Sequence, residues 1–473
     1  VNSERPDPTF KRLLAVACAL TLLFGTLVVN YYKDLGEESA NSGSFATQYG
    51  EAAPGTDSAD PSAASARGPG LLELAATRGA SQAATPGSKR RTDSSAGVSR
   101  GTIKVGGIFT ETGPFDARPA DYSARAYFQM INAQGGVHGR KIEFISYDDG
   151  YDPTQGLNAA RRLAEQDKVF AIVGWLAPNS EPAASAYFAE AGLPVIGGLG
   201  VPQEFGPPGF FPTNANFAKA GAGLARFPCE AGVKHPAVAV VNLPYSDQML
   251  EGIKRGMERC EGAAPVAYEK IDATETNYNA KVLNWRTMGA DSILAGLDPM
   301  SYVRLFQALA QQNWYPQVFS TGFADTERND YVADVLEKTK AINLETQLMP
   351  SLHMNLPGPR RYVEALHRYY PGTSVMAVAE VSWTAAQMFV EGLRRAGPNP
   401  TREKFVAALE TLREFKADVA PPMTYAPNTH DAVRCVEVQR WNDGGWEDVY
   451  PSWECWDYDS KGYALRRPSK PFG

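Results

Sequence analysis

Few of the residue patterns that carry chemistry occur in these 473 residues. There is no GxxxxGK(S/T) loop to hold a nucleotide and no HExxH pair. The five histidines, His138, His235, His353, His367 and His430, stand apart, with no nucleophile or second ligand at useful spacing. CxxC and HxxxH spacings are also missing, so no metal site is expected. These absences predict a protein that is not an enzyme, has no catalytic residues and needs no cofactor. Basic charge is short as well: 46 Lys and Arg against 53 Asp and Glu leave a net charge of -7, too little to hold a phosphate backbone. Nucleic acid is not an expected partner. Aromatic residues vanish between Tyr49 and Phe109.

That aromatic-free stretch belongs to a segment, 36–100, rich in Ala, Gly, Ser, Pro and Thr, which cannot bury enough apolar surface to offset its chain entropy. Residues 33–100 are therefore expected to be a disordered tether, with an r.m.s. reach of about 45 Å for a flexible coil of roughly 65 residues. Before it, residues 13–29 (LLAVACALTLLFGTLVV) are free of charge, preceded by Lys11 and Arg12 and followed by Tyr31 and Tyr32. The run is short for a spanning helix and long for a cleavable signal core of about 7 to 15 residues. Residues 13–32 thus read as a transmembrane signal anchor or a signal peptide. The basic flank places 1–12 in the cytoplasm and everything after Tyr32 outside it. The expected location is the cell membrane, single-pass with the C-terminal domain extracytoplasmic, or the exterior if the segment is cleaved. Ala15-Val16-Ala17-Cys18 resembles a lipoprotein box, but the apolar run continues well past Cys18.

Residues 142–174, IEFISYDDGYDPTQGLNAARRLAEQDKVFAIVG, read as one strand, helix, strand unit. Ile142, Phe144 and Ile145 make an apolar strand, Asp152-Pro153 is an N-cap with proline at the first helical position, and Leu157, Ala160, Leu163 and Ala164 recur at helical spacing. Val169, Ala171, Ile172 and Val173 suit a strand buried on both faces. The fold class is α/β with parallel sheets. Together with IKVGGIFTETGPF (103–115) and INAQGGVHGRK (131–141), this unit resembles the opening of the type 1 periplasmic binding proteins, the leucine/isoleucine/valine-binding family of ABC transporter substrate-binding proteins. The resemblance implies two lobes, each a mostly parallel sheet flanked by helices, joined by a three-strand hinge and closing on a small solute.

The domain is expected to occupy 101–473. Strands at 103–109, 142–147, 169–175 and 195–198, with helices near 120–134, 153–166 and 180–191, open lobe one. Strands at 237–241, 266–271, 292–296 and 318–321, with helices at 246–260, 278–288 and 299–311, build lobe two. Helices at 359–369, 377–396 and 401–412 return to lobe one, and a hairpin at 433–449, turning at Asn442-Asp443-Gly444-Gly445, ends in lobe two. Lobe one would then cover about 101–215 and 350–416, and lobe two about 216–349 and 417–473, with crossings near 213–218, 346–351 and 415–424. Trp453 and Trp456 are expected to staple the tail onto lobe two. Of three possible connectivities among the exported cysteines, proximity in this topology selects Cys229 with Cys260 and Cys435 with Cys455.

In a doubly wound sheet the ligand crevice lies beyond the carboxyl ends of the strands, which points to loops 110–115, 175–180, 199–203, 243–246 and 297–300, with 322–325 as a sixth. The candidate ligand-binding residues are Thr112, Gly113, Trp175, Asn179, Ser180, Gly200, Tyr245, Asp298 and Phe323. Thr112-Gly113 is a family cleft turn or a plain turn, and Trp175 is either cleft wall or core. Asn179 and Ser180 open a helix, whose free N–H groups favour an anion. Asp298 is either an ammonium partner or the N-cap before Pro299. Tyr245 falls where family members carry a cleft tyrosine. The position aligning with the relatives' ammonium-binding acid is Met300, and Gly197-Gly198-Leu199-Gly200 offers no hydroxyl to a carboxylate. Leucine, isoleucine and valine are therefore expected to bind weakly, and a less polar or singly charged solute to be preferred. The expected partners are that solute, an ABC transporter permease and, through the N-terminal helix, the membrane; the alternative is a sensory ectodomain reporting a solute to a membrane protein.

Overall fold

The computed structural model describes residues 94–113, 116–243, 246–322, 332–427, 429–458, 464–466 and 469–472. The apolar run at 13–29, nearly all of the tether, Tyr245 and Phe323 lie outside them. Among the described residues no helix is long and apolar enough to cross a membrane.

The chain opens as β1 (Thr102–Phe109), α1 (Arg118–Ala133), β2 (Lys141–Asp148), α2 (Pro153–Arg161), β3 (Ala171–Trp175), α3 (Glu181–Glu190), β4 (Val195–Gly197) and β5 (Phe210–Phe211). These strands form a parallel sheet in the order β2-β1-β3-β4-β5. Asp152 caps α2 as its Asp-Pro pair predicts, accepting from the N–H groups of Thr154 and Gln155. The second series is α4 (Phe217–Leu224), α5 (Arg226–Glu230), β6 (Pro236–Val241), α6 (Ser246–Met257), β7 (Ala267–Ile271), α7 (Asn279–Thr287), β8 (Ser292–Gly296), α8 (Pro299–Gln311), β9 (Gln317–Thr321), α9 (Ala333–Thr339) and β10 (Ile342–Glu345). Then come α10 (Pro357–Tyr369), α11 (Ala377–Ala396), α12 (Arg402–Leu409), β11 (Cys435–Asn442), β12 (Gly445–Asp448), β13 (Ser452–Tyr458), β14 (Ala464–Arg466) and β15 (Lys470–Pro471). In the second sheet β7, β6, β8, β9 and β10 run parallel, and β11 and β13 are added antiparallel.

The inner strands of each sheet bury both faces, so β3, β6 and β8 read as continuous apolar runs, while the edge strands β2 and β7 keep exposed polar residues. In lobe one, Ile103, Val105, Ala171 and Val173 pack with Tyr127 of α1 and Trp383 and Phe389 of α11, while Ile108, Ile172 and Val195 pack with Leu163, Ala184 and Phe188. In lobe two, Ala237, Ile293 and Val318 face Trp285 of α7 and Tyr302 and Phe306 of α8. Val238, Val240, Leu294 and Phe319 face Leu224 of α4 and Met249 and Ile253 of α6. The period-two alternation of strand side chains assigns each residue its face.

Helices α4 and α6 touch backbone to backbone. A Cβ added at Gly252 would fall 1.9 Å from the Ala218 carbonyl oxygen, and one at Gly221 would fall 2.4 Å from that of Met249. Disulfide Cys229–Cys260 ties α5 to the segment after α6, and Cys435–Cys455 joins the facing residues of β11 and β13. Both are the pairs that the topology selected. Trp456 packs into the lobe-two core, and Trp453 packs beside the second disulfide.

The crossing segments hold one another. The Thr346 hydroxyl donates to Asn214 Oδ1 at 2.7 Å, and the Leu348 N–H donates to the Val419 carbonyl at 2.8 Å. The last return to lobe two comes later than the expected 415–424. Phe415 and Met423 bridge each other, the Tyr425 hydroxyl donates to the Pro212 carbonyl, and Met423, Tyr425 and Val433 are buried in the lobe-one core, so the chain leaves lobe one only after Val433.

Candidate ligand-binding cleft

A cavity of about 190 Å³ opens where the carboxyl ends of the strands of both sheets converge. Lobe one contributes Tyr151 after β2, Pro178 after β3 and Leu199 after β4, and the crossings contribute Asn214, Thr346 and Gln347. Lobe two supplies the rest: Leu243 after β6, Leu297 and Asp298 after β8, and Thr321 and Gly322 at the end of β9. From this mouth the cavity runs inward between the sheet and the α4/α6 pair, past Leu224, Val240, Met249, Val436 and Trp456. Its inner end is therefore wholly apolar.

The polar groups gather at the mouth. Asp298 caps α8, its Oδ1 accepting from the N–H groups of Met300 and Ser301 at 3.1 Å each, while its buried Oδ2 has no donor. The sequence left cap and cleft as alternatives for Asp298; one carboxylate serves the cap and also lines the cavity. Glu345 lies at the end of β10, accepting from the Asn343 amide at 3.0 Å. The Thr346 hydroxyl, 2.8 Å from Gln347 Oε1, shares its one proton between that oxygen and Asn214, and Gln347 Nε2 is buried without an acceptor. Across the cleft, Tyr151 holds a left-handed backbone with φ of 62°. Burial, followed by the nearby Asp298 carboxylate, pushes its phenol above the ordinary tyrosine range, so the hydroxyl remains a neutral donor.

Several residues singled out in the sequence sit behind Tyr151 instead of in the cavity wall. The Asn179 amide donates to the Tyr151 carbonyl at 2.9 Å, and Gly113, with φ of 111°, passes close to the Tyr151 Cβ. The Thr112 hydroxyl donates to Asp148 at 2.5 Å. Ser180 is fully buried, and its hydroxyl donates to Asp149 Oδ2 at 2.7 Å, while that of Thr110 donates to Asp149 Oδ1 at 2.7 Å. The hydroxyl proposed for a ligand anion is thus engaged by a carboxylate of the chain itself. Trp175 is fully buried against Phe188 in the lobe-one core. Gly200 approaches the Ala215 carbonyl so closely that a Cβ would lie 2.2 Å from it. Of the described candidates only Asp298 lines the cavity. Sequence reading passed over Tyr151, Asn214, Glu345 and Gln347; the Asp-Asp-Gly-Tyr turn after β2 was the one local signal, marking a strand end in the right layer.

Beneath Leu199 two carboxyl groups share a buried site. Glu181 accepts from the N–H groups of Ala177 and Leu199, and Glu204 accepts from that of Gly200 at 2.9 Å. Burial, helped for Glu204 by repulsion from its neighbour, pushes Glu181 up to about 7 and Glu204 well above the carboxylate range. The pair therefore keeps a proton in the native state that it would lose in the unfolded chain. Because the native pKa values lie above the unfolded ones, this stability is full at acidic pH and is lost as pH rises through about 7 and beyond. The unfolding temperature is expected to fall as pH rises from about 4.5 through about 7, between the ordinary glutamate value and the raised Glu181 value, and to go on falling above that toward the still higher Glu204 value. In Glu204→Gln, whose amide donates at every pH, that slope should flatten; an equal slope in both proteins would reject the shared proton.

Away from the cleft, oxygens of Glu437 and Asp448 and a ring nitrogen of His353 lie within 4.8 Å of one another. Glu437 also accepts from the Met349 N–H at 2.7 Å and the Gln439 amide at 2.5 Å. Burial pushes Glu437 up to about 8 and, with repulsion from Glu437, Asp448 up to about 7.

Residues 102–445 match the periplasmic binding protein family. An amino acid binding protein of Pseudomonas aeruginosa is 31% identical over 175 residues, which cover 36% of this chain and 46% of that protein, so the match spans about half of that relative's length. Leu/Ile/Val-binding protein homolog 7 of Brucella abortus is 23% identical over 372 residues, covering 74% of this chain and 91% of that one. The solved structure of a possible leucine/isoleucine/valine-binding protein from Rhodopirellula baltica has the same fold, with a TM-score of 0.65 and 18% identity over 76% of this chain and 98% of that chain.

Proposed function

Because the chain belongs to the periplasmic binding protein family, in its type 1 leucine/isoleucine/valine-binding branch, we propose that it captures a small organic solute outside the cytoplasm and presents it to the permease of an ABC importer. The observation that carries this reading is the cavity itself, walled by strand ends of both lobes and by two of the crossing segments. A solute resting on lobe two gains Tyr151, Pro178 and Leu199 only when lobe one swings onto it. Binding then shifts population by its differential affinity for the closed form. The N-terminal apolar run, as signal anchor or signal peptide, and the tether keep the domain outside the cytoplasm and within reach of a membrane partner.

The walls favour a solute less polar than a free amino acid. Thermal unfolding of the full chain across a panel of small neutral, cationic and anionic solutes tests the reading. A ligand present at about 100 times its dissociation constant adds about 2.7 kcal/mol, enough to raise the transition by a few degrees. At least one member is expected to do so with a saturable dose dependence. A panel in which no solute moves the transition would overturn the proposal.

A further inference from the structure

The charges at the cavity mouth narrow the class of solute, an inference that deepens the function just proposed and rests on it. The described lining holds two carboxylates, Asp298 and Glu345, and no lysine, arginine or histidine. Asp298 Oδ2 is buried with no donor, although Oδ1 of the same carboxylate is doubly bonded to α8. A buried carboxylate oxygen without a donor is costly until a ligand supplies one. Glu345, 5% exposed, places a second carboxyl group in the same lining.

An anionic group has no comparable place. In lobe one the hydroxyls of Thr110 and Ser180, with the Tyr151 N–H, all donate to Asp149. Among the described lining residues the donors left for a ligand, the Gln347 Nε2 amide and the Tyr151 hydroxyl, are neutral, and neutral donors do not offset a buried anionic charge. Behind the polar rim the cavity continues between α4, α6 and the sheet, lined by Leu224, Val240, Met249 and Val436. A tail placed there meets aliphatic side chains, the Met249 sulfur and the Trp456 ring.

We propose that the cleft binds an amine with a single positive charge, a short apolar tail and no carboxylate, the ammonium head on Asp298 beside Glu345 and the tail under α4 and α6. The head supplies the donor that Asp298 Oδ2 lacks, and its charge meets a described lining that contains no lysine, arginine or histidine. The tail replaces water in the apolar part, where burial contributes about 0.8 kcal/mol per methylene converted to roughly fourfold in affinity.

Calorimetry of the full chain with three probes that share one branched tail tests this: 3-methylbutylamine, 4-methylpentanamide and 4-methylpentanoate. The amine is expected to bind at least about tenfold more tightly than the amide or the acid. Asp298→Asn keeps a capping side chain on α8 and removes the charge; it should weaken the amine by about tenfold or more while leaving the unfolding temperature near that of the parent. The proposal is overturned if the amide or the acid binds as tightly as the amine, or if Asp298→Asn binds the amine unchanged. It is also overturned if none of the three binds at about 10 mM, a level at which even millimolar affinity registers. In that last case the solute panel separates the two ideas: a hit from another class leaves the solute-binding function standing, and an empty panel removes both.

Discussion

Gly252→Val should destabilise the domain by about 3 kcal/mol or more, lowering its thermal transition by at least several degrees. The Cβ alone would lie 1.9 Å from the Ala218 carbonyl oxygen and 2.8 Å from its carbon, both backbone atoms of α4 that cannot rotate away. Gly256 and Gly221 make the same kind of contact with Ala222 and Met249, so the two helices cannot slide past one another to relieve it. They can only separate, and separation exposes Leu224, Met249 and Ile253, each worth about 1.5 to 3 kcal/mol when fully buried. Removing glycine from a helix interior gains up to about 1 kcal/mol in propensity, too little to offset this. Because α4 and α6 also wall the inner cavity, the variant should lose solute stabilisation along with its fold. Gly206→Ala, where an added Cβ meets nothing within 4 Å, is the control and should unfold with the parent. Equal unfolding temperatures for Gly252→Val and the parent would refute the close-packed wall.

L-leucine is expected to bind with a dissociation constant no tighter than about 1 mM, at least about a thousandfold weaker than a micromolar amino-acid site. Its ammonium has a partner in Asp298, but its carboxylate has none of comparable strength. Ser180 donates to Asp149, no described lining residue is cationic, and leaving a charge unpaired on burial costs several kcal/mol. The relatives' names make this a demanding expectation, since an amino acid binding protein and a Leu/Ile/Val-binding homologue are among them. Calorimetry with L-leucine decides it: a micromolar constant would show that a carboxylate site exists which this account lacks.

Much of the scaffold was legible because local and global signals agree. The sequence predicts strand 292–296 and helices 299–311 and 377–396 with the bounds observed for β8, α8 and α11, where an apolar run, an Asp-Pro cap or a long helical period leaves little choice. Boundaries slipped where the signal was weak. The sequence sets no bounds for a helix over Phe217–Leu224, where alanine and glycine fill the contact face of α4 and make sense only once α6 lies against them. The last crossing was placed too early because Phe415, Met423 and Tyr425 sit in irregular chain whose packing on lobe one is tertiary. The cleft was less legible than the fold. Loop positions followed from strand ends, but which side chain faces the cavity depended on neighbours: Asn179 and Gly113 serve Tyr151, Trp175 turns into the core, and Asp298 serves cap and cleft together.

The central claim is that two lobes close on a solute held in the cavity. Small-angle scattering from residues 94–473, with and without a saturating amount of the panel solute that raises the transition most, measures this directly. The account predicts a smaller radius of gyration with the solute bound, as lobe one swings onto lobe two about the crossings at Asn214 and Thr346. An unchanged radius at saturation would contradict it.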